Sequence, residues 1–110
     1  MIEDTVSKLE AQLREAKNLS PERRDELLQL LGMLKAEVSE LSKTNREEAL
    51  SVARFAELSA LEATRSAKNQ KLQDLSLEGF KSSVEGFEQS HPRLVQVVDS
   101  ISRTLSNLGI

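Results

Sequence analysis

The chain has 110 residues, room for one domain. Charged residues make up 30% and aromatic residues only 3%, with no Trp and no Tyr, which suits helices packed around an aliphatic core. A net charge of -3 and a pI near 5.2 weigh against non-specific nucleic-acid binding, and zero Cys excludes disulfides, thiolate metal sites and Cys nucleophiles.

The opening Met1-Ile2-Glu3-Asp4 is acidic and lacks the apolar core of a signal peptide. No stretch approaches the length of a membrane span, so the cytoplasm is the expected location. Ile2, Val6, Leu9, Leu13 and Ala16 recur at steps of three and four, the spacing of one stripe on an α-helix. The first helix is expected from Ile2 to Lys17, with Glu3 and Asp4 at the positive end of its dipole. Asn18-Leu19-Ser20-Pro21 ends it. Ser20 reads as the N-cap of the second helix and Pro21 as its first residue. Leu27, Leu31, Leu34, Val38 and Leu41 carry that helix to Ser42 or Lys43. So short a link favours an antiparallel hairpin over residues 1–43.

Thr44-Asn45-Arg46-Glu47 has the form of a capping box, with Thr44 as cap and Glu47 reaching back. A third helix should follow to Ala67. The phase of Leu34 and Leu41 also runs on through Glu48 to Phe55, so one long continuous helix is the alternative. Lys68 to Lys71 is polar and reads as a loop, and a fourth helix should run from Asp74 or Ser76 to Gln89. Gly79 and Gly86 weaken it by about 1 kcal/mol each relative to Ala. They either permit close helix contact or are merely tolerated.

Ser90-His91-Pro92 is the next break. Pro92 disfavours helical geometry at His91 and fits the first position of a last helix, which Ser90 or His91 would cap. The apolar run Leu77, Phe80, Val84, Phe87, His91, Leu94, Val98, Ile101, Leu105, Leu108 passes through His91 unbroken, so a kinked continuous helix is the alternative. Gly109 suits a left-handed helix stop, with Ile110 against Leu105, and the terminus therefore reads as a chain end. The fold class expected is all-α: an antiparallel helical bundle, or coiled-coil hairpins, of about four helices in a single domain over 1–110.

The middle helix carries an unusual stripe. Ala49, Ala53, Ala56, Ala60, Ala63 and Ala67 are spaced by four and three, and Leu50, Leu58 and Leu61 lie roughly opposite. Small side chains let a neighbouring helix approach closely, and a helix apolar on two faces calls for cover on both. These nine residues are the expected helix-packing or oligomer face. The bland alternative is that Ala is simply the best helix former and the stripe stays partly exposed.

Chemical signatures are sparse. Glu88 and His91 have the Glu-x-x-His spacing of carboxylate di-iron bundles, but such sites need a second pair and two further Glu, and His91 is the only His. His91-Pro92 is therefore read as a structural joint, with no metal expected. The Ser residues sit in helical or capping contexts, unlike the strained turn of a hydrolase nucleophile. The Gly residues are scattered, without a phosphate loop. Arg23-Arg24 and Lys68 to Lys71 read as solvated surface.

Leu77-Glu78-Gly79-Phe80, the segment Val84-Glu85-Gly86-Phe87-Glu88-Gln89-Ser90-His91-Pro92-Arg93-Leu94 and the ending Leu105-Ser106-Asn107-Leu108-Gly109-Ile110 resemble a family of short bacterial proteins of unknown function. The resemblance covers residues 77–110 and is weaker over 1–43. Relatives of this kind are often shorter, which implies that about 44–72 is an insertion, with 73–110 forming the C-terminal helices. It implies a small bacterial helical protein and brings no activity with it.

The expected function is non-enzymatic: a self-associating helical protein offering a face to a protein partner, with no cofactor, no small-molecule substrate and no nucleic acid. The alternative is a nucleic-acid-associated helical protein, which would need a basic face created by folding. An enzyme would need a pocket that the sequence does not announce. Membrane-surface binding would want Lys and Arg lining an apolar helix face with bulky aromatic residues.

Overall fold

The computed structural model of the protein describes residues 2–17 and 19–109. It is all-α, with no strand among the described residues. The chain runs through α1 (Ile2–Glu15), α2 (Pro21–Ser42), α3 (Arg46–Thr64), α4 (Gln70–Ser82) and α5 (Pro92–Ser106), then a 3-10 turn, Asn107–Gly109. Five α-helices thus stand where about four were expected.

The first two helices form the expected antiparallel pair. Their polar cross-links show the direction: Ser39 Oγ donates to Glu3 Oε2 at 2.5 Å, Lys35 Nζ meets Glu10 Oε1 at 2.7 Å, and Arg24 Nη2 donates to the Ala16 carbonyl at 2.9 Å. Ser20 caps α2 as expected, its hydroxyl accepting the Arg23 N–H, with Pro21 in the first turn. Asn18 lies outside the described residues.

Helices α2 and α3 are separate, which settles the continuity question. The backbone N–H groups of Thr44 and Asn45 both donate to the Leu41 carbonyl and close α2. The capping box does not form. Asn45 is the N-cap of α3 and makes no side-chain cap bond, while Thr44 donates its hydroxyl to Asn45 Oδ1. The physical reason for the break lies in which residues need burial. A continuous helix would extend the Leu34–Leu41 stripe into Glu48 and Phe55. The chain instead buries Ala49, Val52, Ala53, Ala56, Ala60 and Ala63, and a turn frees α3 to present that face.

α3 is the shared helix, packing against α1, α2, α4 and α5. Its alanine stripe makes this possible, because small side chains let several helices approach one axis. It stops at Thr64, so Ala67 falls in the exposed α3–α4 turn and is no part of the packing face, a correction to the six-alanine stripe. α4 begins at Gln70, earlier than expected, because Asn69 caps it by accepting the Leu72 N–H. It also ends early, at Ser82 rather than Gln89. Beyond it the chain makes successive turns, including Gly86 at φ +93°, a conformation open to glycine.

Pro92 starts α5, so the kinked-helix alternative falls. His91 takes the N-cap position but its side chain makes no cap bond. Its ring instead packs edge-on against Phe87, centroids 5.9 Å apart. α5 is followed by the 3-10 turn, and the expected Ile110 contact lies outside the described residues.

The core joins all five helices: Val6, Leu9 and Leu13; the α2 leucines with Val38; the α3 alanines; Leu77 and Phe80; and Leu94, Val98, Ile101 and Leu105.

Candidate interaction surface

Ala67 apart, the eight remaining residues of the expected packing face divide in two. Ala49, Ala53, Ala56, Ala60 and Ala63 are covered within the chain itself. Leu50 is half-buried, while Leu58 and Leu61 face solvent at 42% and 55% exposure. The inward face needs no second subunit. The outward face is only partly covered within the chain.

α4 extends that outward face. It runs antiparallel to α3, with Ser59 Oγ 3.1 Å from the Ser76 carbonyl and Phe55 lying over Gly79. Leu72 and Leu75, 42% and 53% exposed, stand on its outer side. Of the five large hydrophobics exposed among the described residues, four are therefore on this helix pair: Leu58, Leu61, Leu72 and Leu75. The fifth, Met33, lines a polar groove of about 420 Å3 between α2 and α5, where Thr104 Oγ1 donates to Glu26 at 2.8 Å.

Between α3 and α4 runs an apolar groove of about 240 Å3, lined by Phe55, Leu58, Leu72 and Leu75 with Glu62 and Ser76. Phe55 also lines a second hollow of about 460 Å3 further along the same seam, with Glu48, Ser51, Gly79 and Glu85. Glu48, Ser51, Phe55 and Leu58 follow one another by three or four residues, so one stripe of α3 forms this wall. Gly79 is what lets the seam close. A Cβ there would lie 2.3 Å from Phe55 Cε1, inside any allowed contact.

Beneath the groove the interface is polar. Gln73 is buried and donates Nε2–H to the Leu105 carbonyl at 3.2 Å, while its Oε1 has no partner. Ser59 donates to the Phe55 carbonyl and Ser76 to the Gln73 carbonyl. Glu62, almost buried, pairs with Arg65 at 2.9 Å. Sequence reasoning missed Gln73, Leu72 and Leu75. A signal existed for Gln73: one four-residue step back along the Leu77–Phe80–Val84 stripe lands on it. Leu72 and Leu75 were obscured by a helix start placed too late.

The Glu88–His91 pair is engaged elsewhere. Glu88 accepts the Gly86 N–H at 3.0 Å, and His91 rests on Phe87. Among the described residues, no three His, Cys, Asp or Glu side chains gather as a metal site. No described helix is long and apolar enough to cross a membrane.

No curated protein and no solved structure gives a match to the chain. A family model does match, over residues 29–110, from the middle of α2 through the groove helices to the terminus. The chain therefore belongs to the family described as Domain of unknown function (DUF4404).

Proposed function

We propose that this is a non-enzymatic protein–protein interaction protein whose contact face is the outer seam of α3 and α4. One observation carries the reading: Leu58, Leu61, Leu72 and Leu75 are gathered on that seam. Fully burying a leucine contributes roughly 1.5–3 kcal/mol, and each of these is about half covered already. Covering the remainder of each is worth about 1 kcal/mol. Clustered exposed apolar surface of this kind marks contact sites more often than scattered single residues do. The antiparallel pairings of α1 with α2 and α3 with α4 support a bundle organisation with α3 as the shared helix, a rigid support for such a face. The nucleic-acid alternative draws no comparable support from a chain of net charge -3.

Site-specific photo-crosslinking in the native cell tests the reading. A crosslinker at Leu61 should capture a protein that one at Ser7, exposed on α1, does not. Equal capture from both positions, or from neither, refutes the seam as the contact face.

A further inference from the structure

We propose that the hollow where the α1–α2 and α3–α4 turns meet binds a small oligophosphate, an anion of two or more linked phosphate groups. The site lies at the turn end of both hairpins. It stands apart from the α3–α4 seam and does not depend on reading that seam as a contact face.

Folding makes this site out of segments far apart in the chain. The hollow, of about 910 Å3, is lined by Ala16 and Lys17 from the end of α1 and by Thr64, Arg65, Ser66 and Lys68 from the end of α3 and the turn after it. Arg24, near the start of α2, donates Nη2–H to the Ala16 carbonyl at 2.9 Å, which brings its guanidinium to the same place. In the sequence, Arg23-Arg24 and Lys68 to Lys71 are separate basic spots, each with the look of solvated surface. The fold sets one member of each beside Lys17 and Arg65.

The lining is that of an anion site. No carboxylate lines this hollow, whereas the groove between α2 and α5 carries Glu26 and the two hollows of the seam carry Glu62 and Glu48 with Glu85. Glu15 and Glu22 are exposed nearby in the sequence but are not on its wall. The cations are also available. Lys17 and Lys68 make no hydrogen bond or ion pair among the described residues, and Arg65 gives one nitrogen to Glu62 and keeps its other donors. Helix dipoles do not account for the cluster. α1 and α3 end at these turns while α2 and α4 begin there, so two negative ends are offset by two positive ones and the side chains set the sign. Ammonium and guanidinium groups beside a free hydroxyl, that of Ser66, are the donors that hold phosphate oxygens. The cations stand on two separate turns, a spread that suits linked phosphates better than one. The volume falls within the range of about 300–1,000 Å3 typical of small-ligand sites. No aromatic ring lines the hollow to stack a base, which favours a small anion over a nucleic-acid strand.

The test is isothermal titration calorimetry of the purified full chain with tripolyphosphate at about 50 mM salt, where surface charges are only partly screened. Circular dichroism confirms that each variant is folded. The wild type should bind one tripolyphosphate per chain. Lys17→Gln with Lys68→Gln removes two charges from the hollow and should raise the dissociation constant at least about tenfold. Lys43→Gln with Lys81→Gln removes the same charge from exposed positions at the ends of α2 and α4, away from these turns, and should leave binding unchanged. Absence of saturable binding by the wild type overturns the site. So does an equal loss in both double variants, which would make the attraction one of overall charge. A single-stranded oligonucleotide that binds more tightly than tripolyphosphate, and is weakened by the Lys17 and Lys68 changes, overturns the small anion as occupant.

Discussion

Replacing Gly79 by Ala tests how the groove is built. Glycine inside a helix costs about 1 kcal/mol relative to alanine, so on propensity alone the substitution stabilises α4 by that amount. The structure opposes this. The new Cβ would lie 2.3 Å from Phe55 Cε1, 2.8 Å from Cδ1 and 2.9 Å from Cζ. The ring must be displaced or the two helices must part, and overpacking of this kind costs about 1–3 kcal/mol. The net expectation is a loss of about 1 kcal/mol. In a Phe55→Ala background the obstacle is gone, and the same change should stabilise by about 1 kcal/mol. The coupling between the two positions is then about 2 kcal/mol, a large value for a double-mutant cycle and one that requires direct contact. Urea denaturation followed by circular dichroism is the suitable assay, since the chain has no Trp or Tyr for intrinsic fluorescence. If Gly79→Ala changes stability equally in both backgrounds, Phe55 is not packed on Gly79 and the groove described above does not exist.

Two other glycines should respond in opposite directions. Gly32 is helical with open space where a Cβ would go, so Gly32→Ala should raise stability by about 0.5–1 kcal/mol, whereas Gly86→Ala, at φ +93°, should lower it by about 1–2 kcal/mol in the same urea titration. Ala56→Leu should destabilise the isolated chain by about 1–3 kcal/mol even under dilute conditions, because Ala56 is 1% exposed within the fold. The Ser39 hydroxyl holds the Glu3 carboxyl below its usual 4.5, aided by a backbone hydrogen bond. A lowered folded-state value contributes stability above the unfolded pKa and loses it as pH falls through the folded one, so Ser39→Ala should cost stability at pH 7 and less and less below about pH 4.5, read from denaturation midpoints across pH. His91→Asn should be neutral to within about 1 kcal/mol in chemical denaturation, because asparagine can supply the cap that the histidine side chain does not make and offset the lost Phe87 contact.

The residues that revealed most about the fold were those repeating with helical period and buried on one side only. Val6, Leu9 and Leu13, and Leu27, Leu31, Leu34 and Leu41 of α2, were assigned to their stripes correctly because they repeat at steps of three and four on the buried side of each helix. Ser20-Pro21 was legible because cap and proline act locally. The ends of α3 and α4 were not. Thr64, Gln70 and Ser82 are set by a cap at Asn69, by the left-handed turn at Gly86 and by the contact between Phe55 and Gly79. The last of these joins residues far apart in sequence. Thr44 shows the opposite failure. Its motif is that of a capping box, yet the chain turns on Asn45, because the orientation of α3 is dictated by burial of its alanines.

The candidate face was half legible for a related reason. On α3 the leucines stand opposite a stripe of alanines, so two apolar faces show in one helical period and Leu58 and Leu61 are picked out. On α4 the buried face is written partly in polar letters: Gln73 and Ser76 lie inside with Leu77 and Phe80, while Leu72 and Leu75 lie outside. A pattern that equates apolar with inward misplaces both pairs. What fixes the true orientation is a set of hydrogen bonds across helices, Gln73 to the Leu105 carbonyl foremost among them. A buried amide that must meet one carbonyl restricts the rotation and register of α4 more sharply than a leucine at the same place would. That restriction keeps Leu72 and Leu75 turned outward beside Leu58, at the cost of leaving apolar surface in water. A chain that uses buried polar bonds to hold leucines outward has its α4 oriented by the interior, an arrangement that fits the contact face proposed above.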